Sequence, residues 1–77
     1  MPLRVLIVDD DERERIVLRY ILEQFRDVEI VGEADNGQGA VSLCQEKRAN
    51  LVFLETTLPE LSGSETAEKL NELKDPP

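Results

Sequence analysis

Two places in the sequence concentrate side chains that can do chemistry. The acidic run Asp9-Asp10-Asp11-Glu12 follows directly on the apolar stretch Val5-Leu6-Ile7-Val8, and Glu55 follows on Leu51-Val52-Phe53-Leu54. Two or three carboxylates gathered at adjacent strand ends make a hard oxygen site suited to Mg2+, which takes few protein ligands and keeps several waters. The same acids could instead complement a helix N-terminus, an effect of about 0.3–1 kcal/mol each, and the pattern alone leaves both roles open. An EF-hand is excluded, because its alternating ligands, central glycine and distal glutamate are missing. Gly32 and Gly37 have P-loop spacing, but Gln38-Gly39 stands where lysine and a hydroxyl residue belong, so these are turn and helix-entry glycines. With no histidine in the chain, a Ser–His or Cys–His nucleophile is ruled out.

The elements that must carry these acids alternate strand and helix. Val5–Val8 is a continuous β-branched and aliphatic run, as expected of a strand covered on both faces. Asp11 with Glu14 has capping-box spacing and starts a helix over Glu12–Phe25. Ile16, Val17, Tyr20, Ile21 and Phe25 recur there at helical spacing, with Arg13, Arg15, Arg19, Glu23 and Gln24 on the polar side. Leu18 and Leu22 widen the apolar face until it calls for neighbours on more than one side. Val28–Ala34 alternates weakly through Val28, Ile30, Gly32 and Ala34, a second, shorter strand near an edge. Asp35-Asn36-Gly37 is a turn leading into a helix, lined by Ala40, Val41, Leu43 and Cys44 and reaching about Lys47. Leu51–Leu54 is a further apolar strand. Ser62 with Glu65 caps a last helix lined by Ala67, Leu70 and Leu73, which Pro76-Pro77 terminates. Such alternation implies a parallel sheet whose site lies beyond the carboxyl ends of its strands, where both acidic clusters converge.

The bulk numbers bound the rest. Seventy-seven residues make one domain, placed at 1–75 with a tail at 76–77. A chain this size buries roughly 60–65% of the surface its unfolded form exposes, so its stability is marginal. The single cysteine, Cys44, forms no disulfide within the chain and fits a small core position in a reducing cytoplasm. A net charge of −8 argues against nucleic acid and against an anionic membrane surface. The apolar runs are too short to span a bilayer, and the N-terminus lacks a signal-peptide core, so the expected location is cytoplasmic.

Three segments together resemble one family. Val5–Asp11 looks like the first strand and acidic loop of a response regulator receiver domain, the phosphorylated module of two-component signalling. Val31–Gly37 with Ala40 matches the following segment, and Leu51–Gly63 resembles the phosphoacceptor strand and its loop. The resemblance implies a flavodoxin-like α/β fold, cut here to three βα units. It also implies that Asp9 and Asp10 are the acidic pair, with Asp10 a direct Mg2+ ligand. Glu55 would occupy the phosphoacceptor position, and Thr57 would offer its backbone carbonyl to the metal.

The departures from the family matter equally. Its acceptor is aspartate, and the longer Glu55 displaces the reactive oxygen by about a bond length; errors near 1 Å can cost on the order of 10²-fold in rate. Thr56 and Ser64 stand where the family usually has apolar side chains. The fourth and fifth strands, which carry the family's functional Ser/Thr and Lys, are absent from the sequence. The expectation is a non-enzymatic and self-associating fragment, not phosphorylatable, engineered or selected, with a histidine kinase as partner by ancestry only. Its alternatives are a residual Mg2+-dependent phosphoacceptor and a constitutive phospho-mimic through Glu55. Without the last two strands of the full 2-1-3-4-5 order, Leu51–Leu54 would be left at an edge and the first helix would lose a neighbour. The expected homodimer therefore covers Leu51, Val52, Phe53, Leu54, Ile16 and Tyr20, with a second chain completing the sheet.

Overall fold

The computed structural model describes residues 2–56, 58, 61–73 and 76–77. Along the chain run β1 (Leu3–Val8), α1 (Glu12–Leu22), β2 (Val28–Ala34), α2 (Gly37–Lys47), β3 (Leu51–Leu54) and α3 (Gly63–Asn71). The strands form one sheet in the order β2-β1-β3, with both pairings parallel. This is the order of the first three strands of a flavodoxin-like sheet. Val5, Leu6, Ile7 and Val8 in the central strand are at most 1% exposed, which is why that run is apolar without alternation.

The helices divide between the two faces. Leu6 and Val8 pack with Ala40 and Cys44 of α2, Leu70 of α3, and Ala34, Ala49 and Leu58. Val5 and Ile7 pack on the opposite face with Leu18 and Leu22 of α1, beside Val28, Ile30 and Phe53. The helices α2 and α3 meet at Gly37 and the fully buried Thr66, where a Cβ on the glycine would collide with the threonine hydroxyl. That hydroxyl donates to the Ser62 carbonyl at 2.8 Å. On the sheet face where α1 lies, the helix leaves much of its own apolar surface open: Tyr20 is 68% and Ile16 46% exposed, Val17 and Ile21 are exposed as well, and so is Phe25 just past its end.

Several sequence expectations need correction. The strand β2 is the longest of the three, at 7 residues against 6 and 4, although it does lie at an edge. Its alternation is also broken. Val5 pairs with Ile30 and Leu6 with Gly32, so Val31 is an extra, bulged residue. Val28 and Ile30 therefore belong to the α1 face, while Ala34 packs with the α2 side. The helix α1 ends at Leu22 rather than Phe25, because the Gln24 and Phe25 amides turn back to the Ile21 and Leu22 carbonyls. The helix α3 ends at Asn71, before the prolines, and Leu73 lies outside it. Ser62 and Glu65 form a full capping box. Asp11 is the N-cap of α1 and accepts from the Arg13 amide, but Glu14 turns to Asp9 instead of completing a box.

Candidate functional site

Backbone pairing at the carboxyl ends of β1 and β3 brings the acids together. The Asp9 amide donates to the Ala34 carbonyl at 3.0 Å, extending the ladder one residue past β1. The Glu55 amide donates to the Val8 carbonyl at 2.9 Å and does the same for β3. The first turn of α1 then brings Glu14 over both. One oxygen from each of Asp9, Glu14 and Glu55 lies within 4.8 Å of the other two; Asp9 and Glu55 are half-buried and Glu14 is exposed.

This crowding has an electrostatic signature. The Glu14 carboxyl is pushed up from 4.5 to about 7, first by its hydrogen bond with Asp9 and then by the charge of Asp9, with Asp11 and Glu55 adding to it. Like charges at this separation favour either a shared proton or a cation. An all-oxygen carboxylate set at strand ends fits Mg2+ in that role. Asp11 is used differently. Its carboxylate accepts from the Arg13 amide at 2.9 Å and pairs with that residue's guanidinium, which holds it below the usual carboxylate range.

The loop after β3 holds Glu55 by local bonds. Its Oε1 accepts from the Thr56 amide at 2.8 Å and from the Thr56 hydroxyl at 3.3 Å. The start of α3 is pressed against the same backbone: the Gly63 amide donates to the Thr56 carbonyl at 3.1 Å. A Cβ on Gly63 would stand 2.5 Å from the Glu55 carbonyl oxygen and 2.6 Å from Thr56 Cα, so only glycine fits.

Of the site residues expected from sequence, Asp9 and Glu55 are brought together. Asp10 is exposed and is not among the three converging carboxylates. Thr57 lies outside the described residues. The expected interface residues Leu51, Ile16 and Tyr20 are exposed, while Val52, Phe53 and Leu54 are half-buried along the edge strand β3. Glu14 was missed because its spacing from Asp11 also fits a cap, and Arg15 because it reads as one more polar residue on the solvent side of α1. The signal for Arg15 is its i,i+4 relation to Arg19, opposite a glutamate near the end of β2.

Comparison with known proteins shows the family. The model of the response regulator receiver domain matches residues 5–77. The chain is 41% identical over 75 residues to the sensory transduction protein LytT of Bacillus cereus, covering 97% of this chain and 30% of that protein. It is 35% identical over 68 residues to the response regulator UvrY of Escherichia coli, covering 88% of this chain and 31% of that one. It thus spans under a third of the length of these relatives. Among solved structures, the response regulator domain of Thermotoga maritima CheB superposes with a TM-score of 0.92 at 29% identity, covering 97% of this chain and 56% of that one. The receiver domain of a NarL-type regulator from Mycobacterium tuberculosis gives 0.91 at 27% identity, covering 97% and 60%. With a match over nearly its whole length, the chain belongs to the response regulator receiver domain family.

Proposed function

We propose that this chain is a receiver-type signalling module whose acidic pocket takes a divalent cation but does not accept a phosphoryl group at a useful rate. The observation that carries the reading is Glu55 itself, in the acceptor place, with its Oε1 turned onto the Thr56 amide and hydroxyl. In-line attack needs an oxygen held at a defined distance and angle, and the extra methylene changes both. Asp9 and Glu55 centre the cation site, with Glu14 closing one side. Asp10, the direct ligand under the family resemblance, is exposed and lies outside this set. When bound, Mg2+ would neutralise the converging carboxylates. The test is incubation with Mg2+ and a small phosphodonor, read by intact mass. No adduct is expected, and a phosphate adduct on Glu55 would instead establish a residual phosphoacceptor.

As a free chain the module self-associates through the edge of β3 and the open face of α1. The exposed apolar residues there support this, and a second copy of the chain is the occupant. Among the described residues, no helix is long and apolar enough to cross a membrane. With a charge of −8 and a buried free thiol, the reading places the module in the cytoplasm, away from nucleic acid, with a histidine kinase as its partner by descent.

A further inference from the structure

We infer that Arg15 is a positioning residue for the acidic pocket, holding Asp9 in place through its main chain. Its Nη1 donates to the Asp9 carbonyl at 2.5 Å. The Asp9 amide is already engaged with Ala34 of β2, so the peptide groups on both sides of this one residue are tied down. Asp9 Oδ1 in turn accepts from the Asp11 amide at 2.9 Å, which fixes the direction of the carboxylate.

Arg15 is itself held by a built support. Its Nε lies 3.5 Å from Glu33, and both side chains are largely covered, at 18% and 25% exposed. Arg19, one turn along α1, pairs with the other oxygen of Glu33 at 2.6 Å. Glu33 reaches α1 only because of the bulge at Val31. Strict alternation from Ile30 would put residue 33 on the α2 face; the extra residue returns it to the α1 face, paired with Ile7. Bulges beside functional sites commonly re-aim a side chain in this way. The guanidinium fork serves two acceptors in fixed directions, Glu33 and the Asp9 carbonyl, which an ammonium cannot do.

The cation role of the pocket rests on the reading above, but the placement of Asp9 does not. The test compares Arg15→Met with Arg19→Met. Each leaves Glu33 with one arginine, and only the first frees the Asp9 carbonyl. Two quantities are read: hydrogen exchange of the Asp11 amide without metal, and the affinity for Mn2+ by paramagnetic broadening. Arg15→Met is expected to speed Asp11 exchange at least fivefold and weaken Mn2+ at least tenfold, with Arg19→Met within twofold of the parent in both. Arg15→Lys, which keeps the charge, serves if the methionine variant does not fold, and is expected to lose Asp11 protection likewise. Unchanged Asp11 exchange in the Arg15 variants, or equal losses in the Arg19 variant, overturns the inference. Absence of Mn2+ binding by the parent defeats the cation reading alone, because the Asp11 amide still decides the role of Arg15.

Discussion

Glu14 is the residue through which the pocket makes itself measurable. Its carboxyl titrates near 7 in the folded chain and has an ordinary value of 4.5, so the native state binds more protons than the unfolded state between those values. Stability therefore falls as pH rises through that window, the reverse of the trend for a carboxylate held low by a cation. Above the window both states have lost the proton and the contribution is gone; below it the contribution is complete. The variant Glu14→Gln keeps a donor for Asp9 but cannot titrate. Urea unfolding from pH 4.5 to 8 should show the parent losing stability with pH and the variant flattened in that interval. Parallel profiles would refute the assignment. The strand-end acids were legible in the sequence because strand polarity in a parallel sheet dictates where Asp9 and Glu55 emerge. Glu14 was not, because three residues past an N-cap a side chain can turn back to the cap or outward to a neighbour, and spacing is the same for both.

At the scale of elements, legibility followed burial. The fully covered run Val5–Val8 of β1 and the inner residues Ala40 and Cys44 of α2 could be placed from pattern alone, since nothing else in the chain could fill those positions. The face of Glu33 could not, because a bulge depends on how β2 pairs with β1 and leaves no mark in composition. The helix ends were also misplaced, since main-chain turns at Gln24 and Glu72 stop α1 and α3 before any breaker residue is reached. The close approach of α3 to the Glu55 loop gives a sharp prediction. Gly63→Ala puts a methyl group against main-chain atoms 2.5 and 2.6 Å away, and backbone cannot yield as a side chain can. Overpacking of this kind costs about 1–3 kcal/mol, which for a domain this small lowers Tm by roughly 4–8 °C per kcal/mol. The variant should melt correspondingly early and show amide shifts at Glu55 and Thr56. Gly39→Ala, where the nearest atom is the Asn36 carboxamide oxygen at 3.2 Å, should be far milder.

For the whole molecule, compactness and surface give different answers, and the difference bears on the proposed self-association. The radius of gyration is 11.6 Å, against about 11.5 Å for a compact domain of this length, so the chain is drawn together as tightly as a typical domain. Its accessible surface is 5319 Å², however, whereas a folded monomer of 8.7 kDa exposes about 4,700 Å². The excess is roughly 600 Å² per chain, and the apolar surface open to a partner is Ile16, Val17, Tyr20, Ile21 and Phe25 with Leu51 at the β3 edge. Covering it in two copies removes about 1,200 Å² in all, the lower bound for a specific interface. The expected dimer forms at micromolar concentrations. Sedimentation equilibrium at 5–100 µM is the measurement. The parent is expected to approach twice its mass, while Leu51→Lys and Tyr20→Glu remain monomers. Tyr20 is 68% exposed, so its change should move stability by no more than about 0.5 kcal/mol; Leu51 is 36% exposed and costs more, so circular dichroism checks that the fold is kept. A parent that stays monomeric at 100 µM, or variants that dimerise like it, would show that the open face is covered by something other than a second copy.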